Sequence, residues 1–359
     1  MTDLFSPISI KGVKIKNRIV LPPMGRFGWS DVKDFVSDKH IKHYSQIAEG
    51  GAGLIIIEAL AIAKDGKLSK DQLGIWSDDH IDGISKIAEA CHRYGSVVTA
   101  QLHHAGLETP TSVSKIASAP SDFKRNGRLA VKALSVEEIQ KIQEQFVNAA
   151  KRAKKAGLDG IEFHGAHGYL IDQFMSPITN KRDDNYGGDL AGRSTFIRQI
   201  IEMVKSSTGS DDFIIGYRMG GNEPTLDEGR KIAKILEDAG IDLLHVSSGI
   251  EGDTIPKPPP DFDYSWIVYC GTEIKKQVRI PVIVVYRIKT PEQGKYLIEN
   301  DLADFVAVGR GHLCDKDWAN KARNGLKVIK CLECAECFWF NEIEKCPRYD
   351  LLYKKNRRL

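Results

Sequence analysis

The chain has 359 residues, 42% of them hydrophobic and 28% charged, the proportions of an ordinary globular protein long enough for one large domain and a small appendage. Its 51 basic residues against 48 acidic ones leave a net charge of +3, a field too weak to argue for a nucleic-acid or membrane partner. No signal-like N-terminus is present and no apolar run approaches the roughly 18 residues of a membrane span, so a cytoplasmic protein is expected, its seven cysteines serving as thiols or metal ligands rather than disulfides.

Along the chain, short β-branched runs alternate with longer amphipathic ones. The predicted strands are IVLPPM from Ile19, GLIIIE from Gly53, SVVTAQL from Ser96, DGIEFH from Asp159, FIIGYR from Phe213, DLLHVS from Asp242, PVIVVY from Pro281 and ADFVAV from Ala303. Between them lie helical patterns over 79–94, 135–156, 193–207 and 225–239, several entered through Ser, Thr or Asp residues suited to capping. Eight such βα units predict a (β/α)8 barrel over 1–326, with a short cysteine-rich extension over 327–359. A doubly wound sheet is the alternative, but no Gly-x-Gly-x-x-Gly follows the first strand. Two long loops, 103–134 and 249–263, are placed to wall a substrate cavity. The closing bases Lys354, Lys355, Arg357 and Arg358 read as a solvated tail.

In a barrel, reacting groups gather at the C-terminal ends of strands. Pro23, Met24 and Gly25 close the first strand, Glu58 and Ala59 the second, Gln101 the third, His164 and His167 the fourth, Arg218 the fifth, 247–249 the sixth, and Gly309 and Arg310 the eighth. Their convergence argues for a site where each alone would not. His164 and His167 also have the His-x-x-His spacing of a metal pair, but Gln101 and Arg218 are poor ligands.

The run DGIEFHGAHGYLIDQFMSPITNKRDDNYGGDLAGR, Asp159 to Arg193, resembles the signature of the old yellow enzyme family of flavin-dependent NAD(P)H oxidoreductases. The resemblance implies that Gln101 binds the pyrimidine side of FMN. It places Arg218 beside the N1 and O2 positions, where a cation stabilises the anionic reduced flavin, and Gly309 and Arg310 at the phosphate. Pro23, Met24, Gly25 and Ala59 fall at the remaining flavin contacts. His164 and His167 correspond to the pair that grips the electron-withdrawing oxygen of a substrate. Tyr169 corresponds to the proton donor, since a phenol with a pKa near ~10 is protonated at neutral pH.

Departures from the family pattern are confined to a few positions. Val285-Tyr286-Arg287-Ile288 replaces the usual Val-Gly-x-Ile. Tyrosine adopts glycine-type backbone angles only at a cost, so either Tyr286 offers its amide in an ordinary conformation and Arg287 adds charge, or phosphate binding is weakened. Gly25 stands where Thr or Cys often lies beside flavin O4, which removes a tuning hydrogen bond. Phe27 falls near a substrate-facing tyrosine of some relatives and makes that wall less polar.

Cys331, Cys334, Cys337 and Cys346-Pro347 fall within sixteen residues. The segment resembles the 4Fe-4S region of the 2,4-dienoyl-CoA reductase and trimethylamine dehydrogenase branch, with altered spacing. Zinc fits the same four thiols, and unliganded thiols are the third alternative. Cys91, Cys270 and Cys314 read as packing residues. That branch normally continues into an FAD- and NAD(P)H-binding region, so a cluster would draw electrons from a separate donor protein; without one, NAD(P)H reduces FMN directly. The expected activity is reduction of an activated alkene, an enone, enoate or enoyl thioester, with a flavin and iron–sulfur electron-transfer subunit and a flavin-free ligand-binding barrel as alternatives. Homo-oligomerisation is left open by the sequence.

Overall fold

The computed structural model describes residues 2–122, 132–209, 212–340 and 342–348; the basic tail residues lie outside them. The predicted runs form a closed barrel of parallel strands: β1 Ile19–Leu21, β2 Leu54–Ala61, β3 Val97–His103, β4 Gly160–Gly165, β5 Ile214–Gly220, β6 Leu243–Ser247, β7 Val282–Val285 and β8 Phe305–Ala307. Each strand pairs with its neighbours in sequence, and β8 closes on β1 through Val306 opposite Ile19. The doubly wound alternative is thereby excluded.

Every barrel strand is almost wholly buried, because its outer face meets helices and its inner face meets other strands. That is why the sequence shows continuous β-branched runs rather than strict alternation. The helices close to their predicted limits: 79–94 becomes Ile81–His92, 135–156 becomes Val136–Lys155, 193–207 becomes Thr195–Thr208, and 225–239 becomes Leu226–Ala239. Ser135 shows why its helix starts there. Its hydroxyl accepts from the amide of Glu138 at 3.2 Å while the Glu138 carboxylate accepts from the amide of Ser135 at 2.8 Å.

A two-stranded hairpin, Ile8–Ile10 and Val13–Ile15, precedes the barrel and turns through Lys11 and Gly12, both at positive φ. Its Ile10 and Ile15 pack with Val20, Leu54, Val97, Ile214, Leu243 and Phe305 near the strand N-termini. The hairpin so closes the N-terminal end and leaves the C-terminal end for chemistry. Between barrel and helices, Phe146, fully buried, meets Phe163 of β4 and Phe196 edge-on at 6.0 and 6.4 Å. Truncating such a residue costs about 3–5 kcal/mol. Among the described residues no helix is long and apolar enough to cross a membrane.

Candidate active site

The strand C-termini enclose a cavity of about 700 Å³. Pro23, Met24, Gly25, Phe27, Ala59, Gln101, His164, His167, Tyr169, Arg218, Arg287, Gly309 and Arg310 all line it, as do Cys331, Cys334 and Cys337. Residues as far apart in sequence as Pro23 and Arg310 meet there because a closed parallel barrel points every strand end the same way.

The inward layer beneath the cavity is polar, and the Glu162 carboxylate at its centre is paired on both oxygens. Glu162 of β4 accepts from Gln101 Nε2 at 2.8 Å on one oxygen and meets His245 Nδ1 at 2.8 Å on the other. Glu162 therefore fixes the rotamer of Gln101. Arg218 is buried, its Nη2 donating to Ser247 Oγ at 3.3 Å, and its Nε has no partner among the described residues. A buried guanidinium with an unmet donor suits an electron-rich group in the cavity. Burial lowers its pKa from the ordinary value, against the pull of Glu162.

The motif around Tyr169 folds on its own buried polar residues. Asp172 accepts from the amide of Gly168 at 2.6 Å, and Gln173 donates to the Gly168 carbonyl while accepting from the amide of Leu107 at 3.1 Å. These contacts hold a turn in which His167 sits at φ 62°, a strained setting of the kind found where geometry serves function. His164 Nε2 lies 2.9 Å from His167 Nδ1, and His167 Nε2 lies 2.7 Å from Ser247 Oγ. Burial first, then neighbouring imidazoles and Arg218, holds both histidines well below their ordinary pKa, so they are neutral. The Tyr169 ring packs edge-on against His103 and His164 with centroids at 4.5 and 4.7 Å. Burial and then Glu108 push its phenol up to about 12, so it keeps its proton at neutral pH.

At the far end of the cavity, Tyr286 and Arg287 both adopt positive φ, 95° and 59°. The ordinary conformation considered for Tyr286 is thus incorrect. The β7 loop so takes glycine-type backbone angles at two residues that carry a Cβ, and bears the strain. Arg287 Nε and Arg310 Nη2 lie 3.5 and 3.3 Å from the carboxylate of Glu333, which Lys289 also contacts. Burial raises the pKa of Glu333, but Lys289, Arg310 and Arg287 outweigh it and hold it below the ordinary value. Three cations converging on an anion fit a phosphate, so this end and the Arg218 end together suit a ring joined to a phosphate.

The cysteine segment does not form the expected four-thiol set. Among the described residues no group of three or more His, Cys, Asp or Glu stands close enough to hold a metal. Cys334 is exposed, Cys346 lies off the cavity wall, and the neighbouring Cys314 lowers the Cys331 thiol to about 6. Cys314, read from sequence as packing, therefore belongs with these sulfurs, brought there by the Gly309–Cys314 helix after β8. Among the described residues, then, neither a cluster nor a zinc site is assembled. His164 and His167 likewise bond each other rather than converge on a metal position.

Sequence reasoning left out His103, Lys289 and Glu333, and placed Glu58 at a strand end without giving it a role. His103 was legible in principle, since it lies two residues after Gln101 on one strand and so on the same face. Glu58 is fully buried, accepts from the amide of Arg26 at 3.0 Å and from Tyr44 at 3.2 Å, and is pushed up to about 7 by burial.

Fold and site together define a flavin-dependent oxidoreductase barrel. The chain belongs to the NADH:flavin oxidoreductase / NADH oxidase family, whose profile matches residues 3–328. It is 42% identical over 346 residues to an NADH oxidase of Thermoanaerobacter brockii, covering 92% of this chain and 52% of that protein. It is 39% identical over 324 residues to an NADPH dehydrogenase of Halalkalibacterium halodurans, covering 89% and 93%. The chain thus spans about half the length of the first relative and nearly all of the second. Among solved structures, the old yellow enzyme homologue from Zymomonas mobilis superposes with a TM-score of 0.80 at 28% identity over 95% of this chain and 97% of that one.

Proposed function

We propose that the protein reduces the C=C bond of an activated alkene, an enone, enoate or enoyl thioester, with FMN as its resident cofactor and NAD(P)H as reductant. The observation that carries this reading is a protonated, buried phenol, Tyr169, packed edge-on against neutral imidazoles in the same cavity as Gln101 and Arg218. Gln101, steadied by Glu162, and Arg218 would hold the flavin ring; Arg287, Gly309 and Arg310 would hold its phosphate. FMN held there would supply the chemistry of hydride transfer from NAD(P)H to the β-carbon.

The chain's own residues supply the rest. The neutral imidazole wall receives the electron-withdrawing oxygen, where fixed polar groups polarise the alkene without reorganising. Tyr169 gives its proton to the α-carbon, and a positioned acid of this kind contributes about 10²–10⁴-fold. Phe27 lines the same cavity and makes its wall less polar. Tyr169→Phe is therefore expected to slow alkene reduction by about 10²–10⁴-fold while leaving flavin reduction by NADPH within about threefold. Stopped-flow measurement of the two half-reactions decides: equal slowing of both removes Tyr169 from the proton step.

The Thermoanaerobacter relative carries about half of its length outside the matched region, and in a second reading the electrons reach the flavin from outside this barrel. Anaerobic mixing with NADPH separates the two, because direct reduction bleaches the flavin and the second reading leaves it oxidised.

A further inference from the structure

The loop after β1 is tied down on both sides of one residue. The Arg26 amide donates to Glu58 Oε2 at 3.0 Å, which fixes the main chain to the end of β2. The Arg26 side chain reaches the other way, into the C-terminal segment. Its Nη1 donates to the carbonyl of Phe27 at 2.5 Å and to the carbonyl of Phe340 at 2.8 Å, so the two protons of one nitrogen serve the local loop and a carbonyl 314 positions further along the chain. Arg26 is 6% exposed, and its guanidinium carbon lies 5.4 Å from the centre of the Trp29 ring. Losing a donor that satisfies two partly buried carbonyls is costly, so the loop and the segment keep one relative position.

The segment has an anchor of its own. Trp339 and Ile343 are buried with Leu313 and pack against Met24 and Trp29, and the Trp29 and Trp339 rings meet edge-on with centroids 5.3 Å apart. Phe27 stands between these ties. Its ring leans over Gly25, with Cζ and Cε1 at 3.6 and 3.8 Å from where a Cβ on that glycine would lie, and Glu58 Oε2 backs the same spot at 3.7 Å. Phe27 and Phe340 both line the cavity. A flat aromatic face brought over a glycine narrows the cavity there and suits the planar, apolar edge of a ligand.

We propose that Arg26 is a positioning residue that sets Phe27 from the C-terminal segment, and that Phe27 so held selects compact planar acceptors such as a cyclic enone. The cysteine-rich extension then contributes to the ligand wall through Trp339 and the Phe340 carbonyl, whatever its thiols do. The choice of ligand rests on the activated-alkene reading; the setting of Phe27 does not.

The test uses FMN-loaded protein carrying 4-fluorophenylalanine at position 27. One narrow fluorine line is expected from the otherwise unchanged chain. Arg26→Met is expected to shift or broaden it, and Arg26→Lys, which keeps the charge and a donor, to restore it in part. Trp339→Ala frees the segment at its own anchor and is expected to act as Arg26→Met does, which keeps the question answerable if Arg26→Met does not fold. A line unmoved by both changes overturns the positioning role. Cyclohex-2-enone and its 4,4-dimethyl derivative, titrated against the visible spectrum of the flavin, read the selection. The unchanged protein is expected to favour the flat ring, and Arg26→Met to reduce that preference about fivefold, an effect that shrinks to within about twofold when Phe27 is already alanine. The same reduction in the Phe27→Ala background shows that Arg26 does not act through Phe27 and overturns the proposal. Binding of neither enone removes the activated-alkene reading, while the fluorine line still decides whether Arg26 sets Phe27.

Discussion

Replacing Tyr286 by glycine and, in parallel, by alanine probes the strain at the phosphate end of the cavity. At φ 95° a residue with a Cβ pays about 1–3 kcal/mol that glycine does not. Glycine carries a penalty of its own, about 0.4–1 kcal/mol relative to alanine, through the greater freedom of the unfolded chain. Both variants lose the same side chain, which is 40% exposed and stacks beneath Arg287 with the guanidinium carbon 5.2 Å from the ring centroid. That shared loss cancels in the comparison. Strain relief minus chain entropy leaves the glycine variant more stable by about 1 kcal/mol, the reverse of the order at ordinary backbone positions. In a domain of this size that corresponds to roughly 2 °C in melting temperature. Thermal unfolding of both variants with and without FMN gives the answer. An alanine variant as stable as the glycine variant, or more so, refutes the claim that this loop stores strain.

Glu333→Gln removes the anion that competes with a phosphate for Arg287, Lys289 and Arg310. Since these groups are partly exposed, the gain is held to about tenfold in FMN affinity, measured by fluorescence titration, and weaker binding would assign Glu333 a supporting role instead. Asp253, whose backbone partner is the amide of Ile250 at 2.8 Å, is pushed up to about 7 by burial and then by Asp172. An acid with a raised folded pKa contributes stability that is complete below the unfolded carboxyl value near ~3.9 and is lost as pH rises through the folded value. Asp253→Asn should therefore raise the melting temperature more at pH 8 than at pH 5, and a pH-independent difference would remove Asp253 as the source.

Much of the fold was legible in the sequence because its signals are local. A continuous β-branched run is what a strand buried on both faces requires, and Ser135 with Glu138 writes a helix start in four residues. The site was legible as a set of strand ends, since a closed parallel barrel leaves them no other place to meet. The His164 to Tyr169 turn was legible through its family signature, and Asp172 and Gln173 supply its physical basis by bonding back onto Gly168.

Tertiary structure decided what depends on contacts between distant segments. No local pattern says that Glu333 occupies the cations of Arg287 and Arg310, that Cys314 stands beside Cys331, or that Tyr286 is held at positive φ. Each follows from where β7, β8 and the following helix deliver the chain, which is a property of barrel closure.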